Sequence, residues 1–375
     1  MPPLLPALLP LLAALLLTLP AVRELVPGLR DLLLWLEIAA VYLAASHLLR
    51  GPALWLVAAG LLAAASAEAL VGWYQFFARA GPPSFAIGPF LRAYGTFGQP
   101  NPFAGYLNTA LPLAVGLLLG AWQTRATTDR RLLALAALTV ALAGPALLMS
   151  MSRGAWLGTA AAIAAMLAAA GHIGRRVLVG GIALALLLAV AATLDLLPPA
   201  IVGRIADTVA WLGIFDARSV PLTSENYAVV DRMAHWQAAW DMYREHPLLG
   251  VGPGQYTLYY PAFRLPLWPD PKIHAHNLYL QTLAETGVVG LLALLVFALA
   301  TGWHVLCVVG RASGAERGLA LGVPGVVAAV SVHSFFDVLF VRGVHTQFAL
   351  LLGMATALSW REEARCASPS TTRPR

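Results

Sequence analysis

About ten apolar runs, each close to the length of one bilayer crossing, dominate this 375-residue chain. They fall roughly at 4–20, 31–49, 52–78, 102–122, 132–151, 154–171, 177–196, 285–309, 319–340 and 344–360. Lipid offers a peptide group no hydrogen-bond partner, so a segment inside a bilayer must satisfy its own backbone. Runs of roughly 20 residues do so as α-helices. The pattern predicts an all-α fold, a polytopic transmembrane bundle of about ten helices within a range of about nine to twelve. Charge agrees with this. Charged residues make up 11% of the sequence, less than half the roughly 25% that a water-wetted domain carries.

One stretch breaks the pattern. Residues 197–275 are polar, mixed and too long for a turn. The chain divides into N-terminal transmembrane helices (1–196), a large, mostly helical external loop (197–275), C-terminal transmembrane helices (276–360) and a cytoplasmic tail (361–375). With the N-terminus in the cytoplasm, twelve arginines fall in cytoplasmic segments and six in the short external ones. That excess predicts a multi-pass protein with both termini inside and the long loop outside. The first run has no basic leader and reads as a membrane helix, not a cleaved signal. Net charge is +6, but the arginines are scattered and Lys272 is the one lysine, so the sequence carries no nucleic-acid-binding patch. Cys307 and Cys366 both lie outside the loop, which indicates no disulfide framework.

Within the loop, Asn226–Glu245 reads as an amphipathic helix, with Tyr227, Val230, Met233, Trp236 and Trp240 at helical spacing. His246-Pro247 ends it, and Leu249-Gly-Val-Gly-Pro-Gly254 forms a glycine-rich turn. The most informative stretch begins at His274-Ala-His-Asn277, where the loop re-enters the membrane. A helix starting near His276 sets Asn277, Gln281 and Glu285 on one face, while Ala284, Gly287 and Gly290 leave room for another helix. A histidine at a helix N-terminus feels the positive end of the dipole, which disfavours the imidazolium form. The neutral ring can accept a proton, which suits a general base. Two other readings stay open. One is an interfacial histidine that caps a helix; the other is a metal site in which Asp270 joins His274 and His276, without the company of a Cys pair or H-E-x-x-H.

Further polar groups gather on the same external side. Arg153, in Ser150-Met-Ser-Arg-Gly154, joins two apolar runs with almost no loop. Snorkelling accounts for many interfacial arginines, but an anion at the external surface accounts better for one amid small and hydroxyl residues. Arg232 lies on the loop helix, where its alternatives are a solvated surface charge and pairing with Asp231 or His235. Phe97-Gly-Gln-Pro-Asn-Pro102 is turn chemistry, with Arg92 and Tyr94 just upstream. His333 and Asp337 are i, i+4 in the ninth run and should share a helix face. Glu37 and Glu68 also lie at membrane depth, where ionisable groups are functional candidates, but neither has an evident partner. A D-x-D pair, a P-loop, G-x-G-x-x-G and G-x-S-x-G are all missing, which argues against a nucleotide-using enzyme and a lipase.

At these residues the chain resembles the O-antigen ligase/polymerase family of bacterial membrane glycosyltransferases, over roughly residues 90–340. The likeness rests on the H-N-x9-G-x-x-G pattern (His276, Asn277, Gly287, Gly290), the Ser-Arg-Gly joint at Arg153, and Phe97-Gly-Gln-Pro-Asn101. It also rests on a loop reading Arg232…Trp236…Pro247-Leu-Leu-Gly-Val-Gly-Pro-Gly254. Leu291 departs from the ligase pattern, which has threonine or valine there. The resemblance implies a bundle of the GT-C type in a bacterial inner membrane, with its site facing the periplasm. It implies that a glycan leaves undecaprenyl pyrophosphate, with inversion and with no metal or other cofactor, for an acceptor hydroxyl such as one of lipid A core. On that analogy Arg153 and Arg232 hold the pyrophosphate through bidentate charge-assisted hydrogen bonds, and His276 deprotonates the acceptor. Arg92, Asn101, His274, Asn277, Glu285, His333 and Asp337 would bind or orient the substrates.

Within that family a polysaccharide polymerase or a protein O-oligosaccharyltransferase fits the same residues, because acceptor choice belongs to the variable loop. A small-solute or bicarbonate transporter is a different class. It should carry ionisable or helix-breaking residues near the midplane of paired repeats, whereas here the polar candidates cluster at one surface. A non-catalytic scaffold gives no reason for His276, Arg153 and Arg232 to share a side.

Overall fold

The computed structural model describes residues 1–87, 89–124, 129–194, 214–223 and 226–367; the first part of the long loop and the end of the tail lie outside them. Among the described residues there are twelve α-helices: α1 Leu5–Thr18, α2 Leu25–Leu48, α3 Pro52–Ala78, α4 Pro100–Thr124, α5 Arg130–Met149, α6 Arg153–Ala169, α7 His172–Thr193, α8 Tyr227–Glu245, α9 Tyr256–Phe263, α10 Leu278–Arg311, α11 Glu316–His333 and α12 Val344–Ala367. A two-stranded antiparallel hairpin pairs Ala86–Ile87 with Phe90–Leu91. Each of the ten apolar runs holds a helix, although the ninth leaves its helix after His333, and α8 and α9 come from the polar loop. Six helices (α2, α3, α4, α5, α7 and α10) are long and apolar enough to cross a membrane, and α1 and α6 are shorter apolar helices. The fold is an all-α polytopic bundle.

Side chains face two environments. On α7, Val179, Leu186, Leu187 and Val190 are all exposed, as expected of an apolar helix surrounded by acyl chains. The interior is closed by small residues. A Cβ on Gly116 of α4 would stand 2.6 Å from the Gly318 carbonyl oxygen of α11, and one on Gly120 would stand 2.4 Å from Gly318 Cα. The two backbones touch, which is how transmembrane helices gain packing energy where lipid removes the hydrophobic drive. Between α2 and α12, Tyr42 accepts a hydrogen bond from Leu4 N at 3.1 Å and meets Thr356 Oγ1 at 3.2 Å.

The helix after His276 is not continuous. Gly287 has φ 64° and ψ −164°, so α10 breaks nine residues after it starts. Pro247–Gly252 fills the break. Val251 N donates to Ala284 O (3.0 Å), Gly252 N to Glu285 O (2.8 Å) and Val288 N to Pro247 O (2.9 Å). These bonds satisfy peptide groups that the break would leave unpaired inside the protein. The glycines allow the approach: a Cβ on Gly287 would meet Leu248 O at 2.2 Å, and one on Gly250 would meet the Glu285 carbonyl carbon at 2.3 Å. Gly287 was expected to admit a neighbouring helix; it admits a loop.

The polar loop packs as a small layer at this end of the bundle. Met242, Tyr256 and Tyr260 centre one cluster, and Val230, Met233, Trp236, Leu265 and Trp268 centre another. The expected stripe on α8 is only partly right. Tyr227 and Trp240 are 49% and 48% exposed, and Ala234, Ala238 and Ala239 are buried in their place. Alanines carried the inner face, where hydropathy had favoured the aromatics.

Candidate active site

The polar groups at this end are carried by short joints between helices. Ser150–Ser152 links α5 to α6, with Met151 in the left-handed region at φ 50°, and sets Arg153 on the first turn of α6. Arg92 docks on that joint, its Nε donating to Ser150 O at 2.8 Å, while Ala93 N donates to Met149 O at 3.0 Å. The 92–99 segment is tied to α3 as well. Gln75 Oε1 accepts from Tyr94 N and Gly95 N, and Glu68 accepts from Thr96 N at 3.0 Å and Thr96 Oγ1 at 2.6 Å. Glu68 therefore has a structural partner. So does Glu37, which takes a bond from Thr346 Oγ1 at 2.8 Å and lies 3.3 Å from His345 Nε2.

Asp337 is the hub. The helix α11 stops at His333, and Ser334 O then accepts from Leu278 N at 2.9 Å, locking the start of α10 against it. His333 and Asp337 consequently do not form the expected i, i+4 helical pair, because the backbone leaves the helix between them. They converge by another route. Buried Asp337 receives Asn101 Nδ2 on Oδ2 and has His274 Nε2 at 3.3 Å and His276 Nδ1 at 3.4 Å from Oδ1. Arg92 Nη2 donates to Asn101 Oδ1 at 3.0 Å, so one chain of contacts runs Arg92–Asn101–Asp337–His276. Buried His333 meets Ser152 Oγ at 3.4 Å, next to Arg153. A Cβ on Gly154 would stand 2.8 Å from His333 Cδ2, which explains the glycine of the Ser-Arg-Gly joint.

The backbone decides the state of His274. His276 N donates to His274 Nδ1 at 3.1 Å, so that nitrogen carries no proton and the Nε2 proton points at Asp337. Burial pushes His274 down to about 4, although Asp337 opposes the shift. Burial alone would raise Asp337, yet His276, His274 and Arg232 together hold it well below the ordinary carboxylate range. His276 itself sits at φ 55°, a strained conformation for a side chain of this kind. Its 3.4 Å approach to Asp337 lacks hydrogen-bond alignment, leaving Nδ1 buried and unpartnered. Trp236 Nε1 donates to His276 O at 3.3 Å, and the His235 ring lies parallel to that of His276 at 5.7 Å.

The three guanidinium groups lie within electrostatic reach of one another. Burial and the charges of Arg232 and Arg153 lower Arg92 to about 10, with Asp337 opposing them. Arg232 and Arg153 repel each other as well. Arg232 does not pair with Asp231 or His235: its Nη1 donates to Ala228 O at 3.2 Å, and its Nε is buried without a partner. Asp231 instead approaches His235 Nε2, at 4.0 Å. Three mutually repelling cations beside an unfilled donor can accept an anion.

Two expected members lie elsewhere. Asn277 caps α10, its Oδ1 accepting from Tyr279 N at 2.9 Å and Leu280 N at 3.1 Å. Glu285 is buried on the far side of His274, accepting from Tyr256 N at 2.9 Å and Gln281 Nε2 at 2.7 Å. Asp270, the expected third metal ligand, pairs with Lys272 at 2.9 Å. The groups that could hold a metal are His274, His276 and Asp337, or Asp231, His235 and His276; within each trio the ligand atoms lie within 4.8 Å of one another. Sequence reasoning gave His235 no place beside His276 and reached Asp337 only through the family resemblance, since only long-range folding brings them there.

Helices that expose leucine all round, and a polar cluster gathered at one end, define an integral membrane protein with its chemistry in the joints between helices. Residues 137–295 match the family model described as O-antigen ligase. The match takes in Arg153, Arg232, His274 and His276, whereas Arg92, Asn101, His333 and Asp337 lie outside it. No curated protein matches the chain.

Proposed function

We propose that this protein transfers a glycan from undecaprenyl pyrophosphate to an acceptor hydroxyl, such as one of lipid A core, at the periplasmic face of a bacterial inner membrane. The observation that carries the reading is the gathering of Arg92, Arg153 and Arg232 around the His274–His276–Asp337 cluster. The pyrophosphate leaving group needs its charge neutralised, and fixed guanidinium forks supply that without reorganisation in the transition state. His276 takes the proton of the acceptor hydroxyl, and Asp337, 3.4 Å from His276 Nδ1, stabilises the imidazolium that forms. The freed oxygen attacks the anomeric carbon, the bond from that carbon to phosphate oxygen breaks, and the pyrophosphate leaves on the arginines. Attack from the side opposite the leaving group gives inversion. No metal takes part in this reaction.

The test is reconstitution. Purified protein, undecaprenyl-pyrophosphate glycan and lipid A core are combined with EDTA, and the product is read by mass spectrometry. Transfer is expected, with a loss of roughly 10²–10⁴-fold in His276→Ala. Undiminished transfer by that variant would remove the base, and a product seen only with added metal would favour the trios of imidazole and carboxylate.

A further inference from the structure

A cavity of about 420 Å³ lies behind His274. It opens between α1, α2 and α10, and the proposed reaction leaves it unused. Its volume falls in the usual range of small-molecule sites, roughly 300–1,000 Å³. The walls differ. Ala14, Leu15 and Phe340 line an apolar side, and Asp31, Gln281 and Glu285 line a polar one. The Asp31 carboxyl lies against Glu285 and the backbone at Gly254, and Glu285 is 4% exposed. The ring of Trp35 closes the floor, held edge-on by Phe340 at 5.5 Å and Phe297 at 6.0 Å. Glu285 and Gln281 are already bonded to each other, to Tyr256 N and to Ala275 N. Asp31 is therefore the acceptor this wall offers to a ligand that brings O–H or N–H donors, with Arg30 also on the wall and the ring of Trp35 as an apolar edge.

The cavity also has a defined relation to the chemistry. His274 forms part of its wall while placing Nε2 3.3 Å from Asp337. A hydroxyl-bearing ligand here would be one side chain away from His276, on the opposite side from the arginines. We propose that this cavity is the acceptor subsite, and that Asp31, set in place by Glu285 and Gln281 behind it, holds a hydroxyl of an acceptor saccharide while one further hydroxyl reaches past His274 to the base. This rests on the glycosyl-transfer reading above. It adds that donor and acceptor enter from opposite sides of the His274–Asp337 wall, one selected by cations and the other by carboxyls.

The experiment compares two variants of the full-length protein in nanodiscs. Asp31→Asn removes a charge from the polar wall, and Ala14→Leu fills the apolar side without touching a polar group. Lipid A core and undecaprenyl-pyrophosphate glycan are the probes. Both variants should raise the KM for lipid A core about tenfold or more, while the KM for the donor stays within about twofold. Equal rises in both constants, or an unchanged acceptor KM in both variants, would overturn the proposal. Direct binding of lipid A core in the absence of donor separates the two ideas. If no transfer occurs but binding still weakens in both variants, the glycosyl-transfer reading has failed and the subsite stands. If binding is indifferent to both, the subsite has failed.

Discussion

The two sides of the His274–Asp337 wall are built from opposite materials. On one side, arginines come from three separate segments, Arg92 and Arg153 at helix joints and Arg232 within α8, and backbone carbonyls such as Ser150 O and Ala228 O hold them. On the other, carboxyls project from within α2 and α10 into a cavity lined mostly by apolar side chains. The guanidinium groups present charge from separate segments, whereas the carboxyls, set in two helices and bonded to each other, keep a fixed spacing. In the proposed reaction the leaving group meets the first side and the attacking hydroxyl the second, with His274 between them.

The largest effect is expected where the carboxyl side is anchored. Gly287→Ala places a side chain at a positive φ and 2.2 Å from Leu248 O. Strain and overpacking together should cost about 3 kcal/mol or more, seen as a marked fall in the thermal midpoint in detergent. An unchanged midpoint would mean that the loop is not clasped in the break. Next comes the cation side. Arg153→Lys keeps the charge and loses the planar fork, so kcat/KM for the donor should fall about 10–100-fold while the acceptor KM holds. Equal activity would reduce Arg153 to a general surface charge and erase the asymmetry.

The smallest effect concerns the wall itself. Burial lowers His235 to about 3 and His274 to about 4. The unfolded chain takes up these protons as pH falls through about 6.5, and the folded protein does so only near those lower values. Their contribution is therefore fully present above about pH 6.5 and is lost as pH falls towards 4. Between pH 7 and 5 the His235 share is roughly 2 kcal/mol. His235→Phe, which keeps the ring packing against Tyr256, Tyr260 and His276, should flatten the melting profile over that interval. A profile as steep as the parent's would assign the loss to other groups.

Hydropathy revealed the helices because lipid imposes length and polarity on each of them independently. The candidate site was legible where its residues stand in local motifs, as at Arg153 and His276. It was illegible where function depends on a chain reversal. Phe335 and Phe336 keep the ninth run apolar past His333, so nothing in its hydropathy marks the point at which the backbone turns away and frees Asp337. The partners of Glu37 and Glu68, Thr346 and Thr96, are remote or neutral, and no local charge pattern announces them. Gly287 was visible as a glycine but not as a gap, because its occupant lies 35 or more residues upstream in Pro247–Gly252.

The glycine contact between α4 and α11 has a mechanical consequence. Asn101 rides on the first turn of α4, and Asp337 follows the end of α11, yet the two are joined by a hydrogen bond. Because the two backbones abut at Gly116 and Gly318, far along both helices from that bond, the pair behaves as a single spar. A thinner or thicker bilayer would tip the spar as a whole and leave the gap between amide and carboxylate untouched.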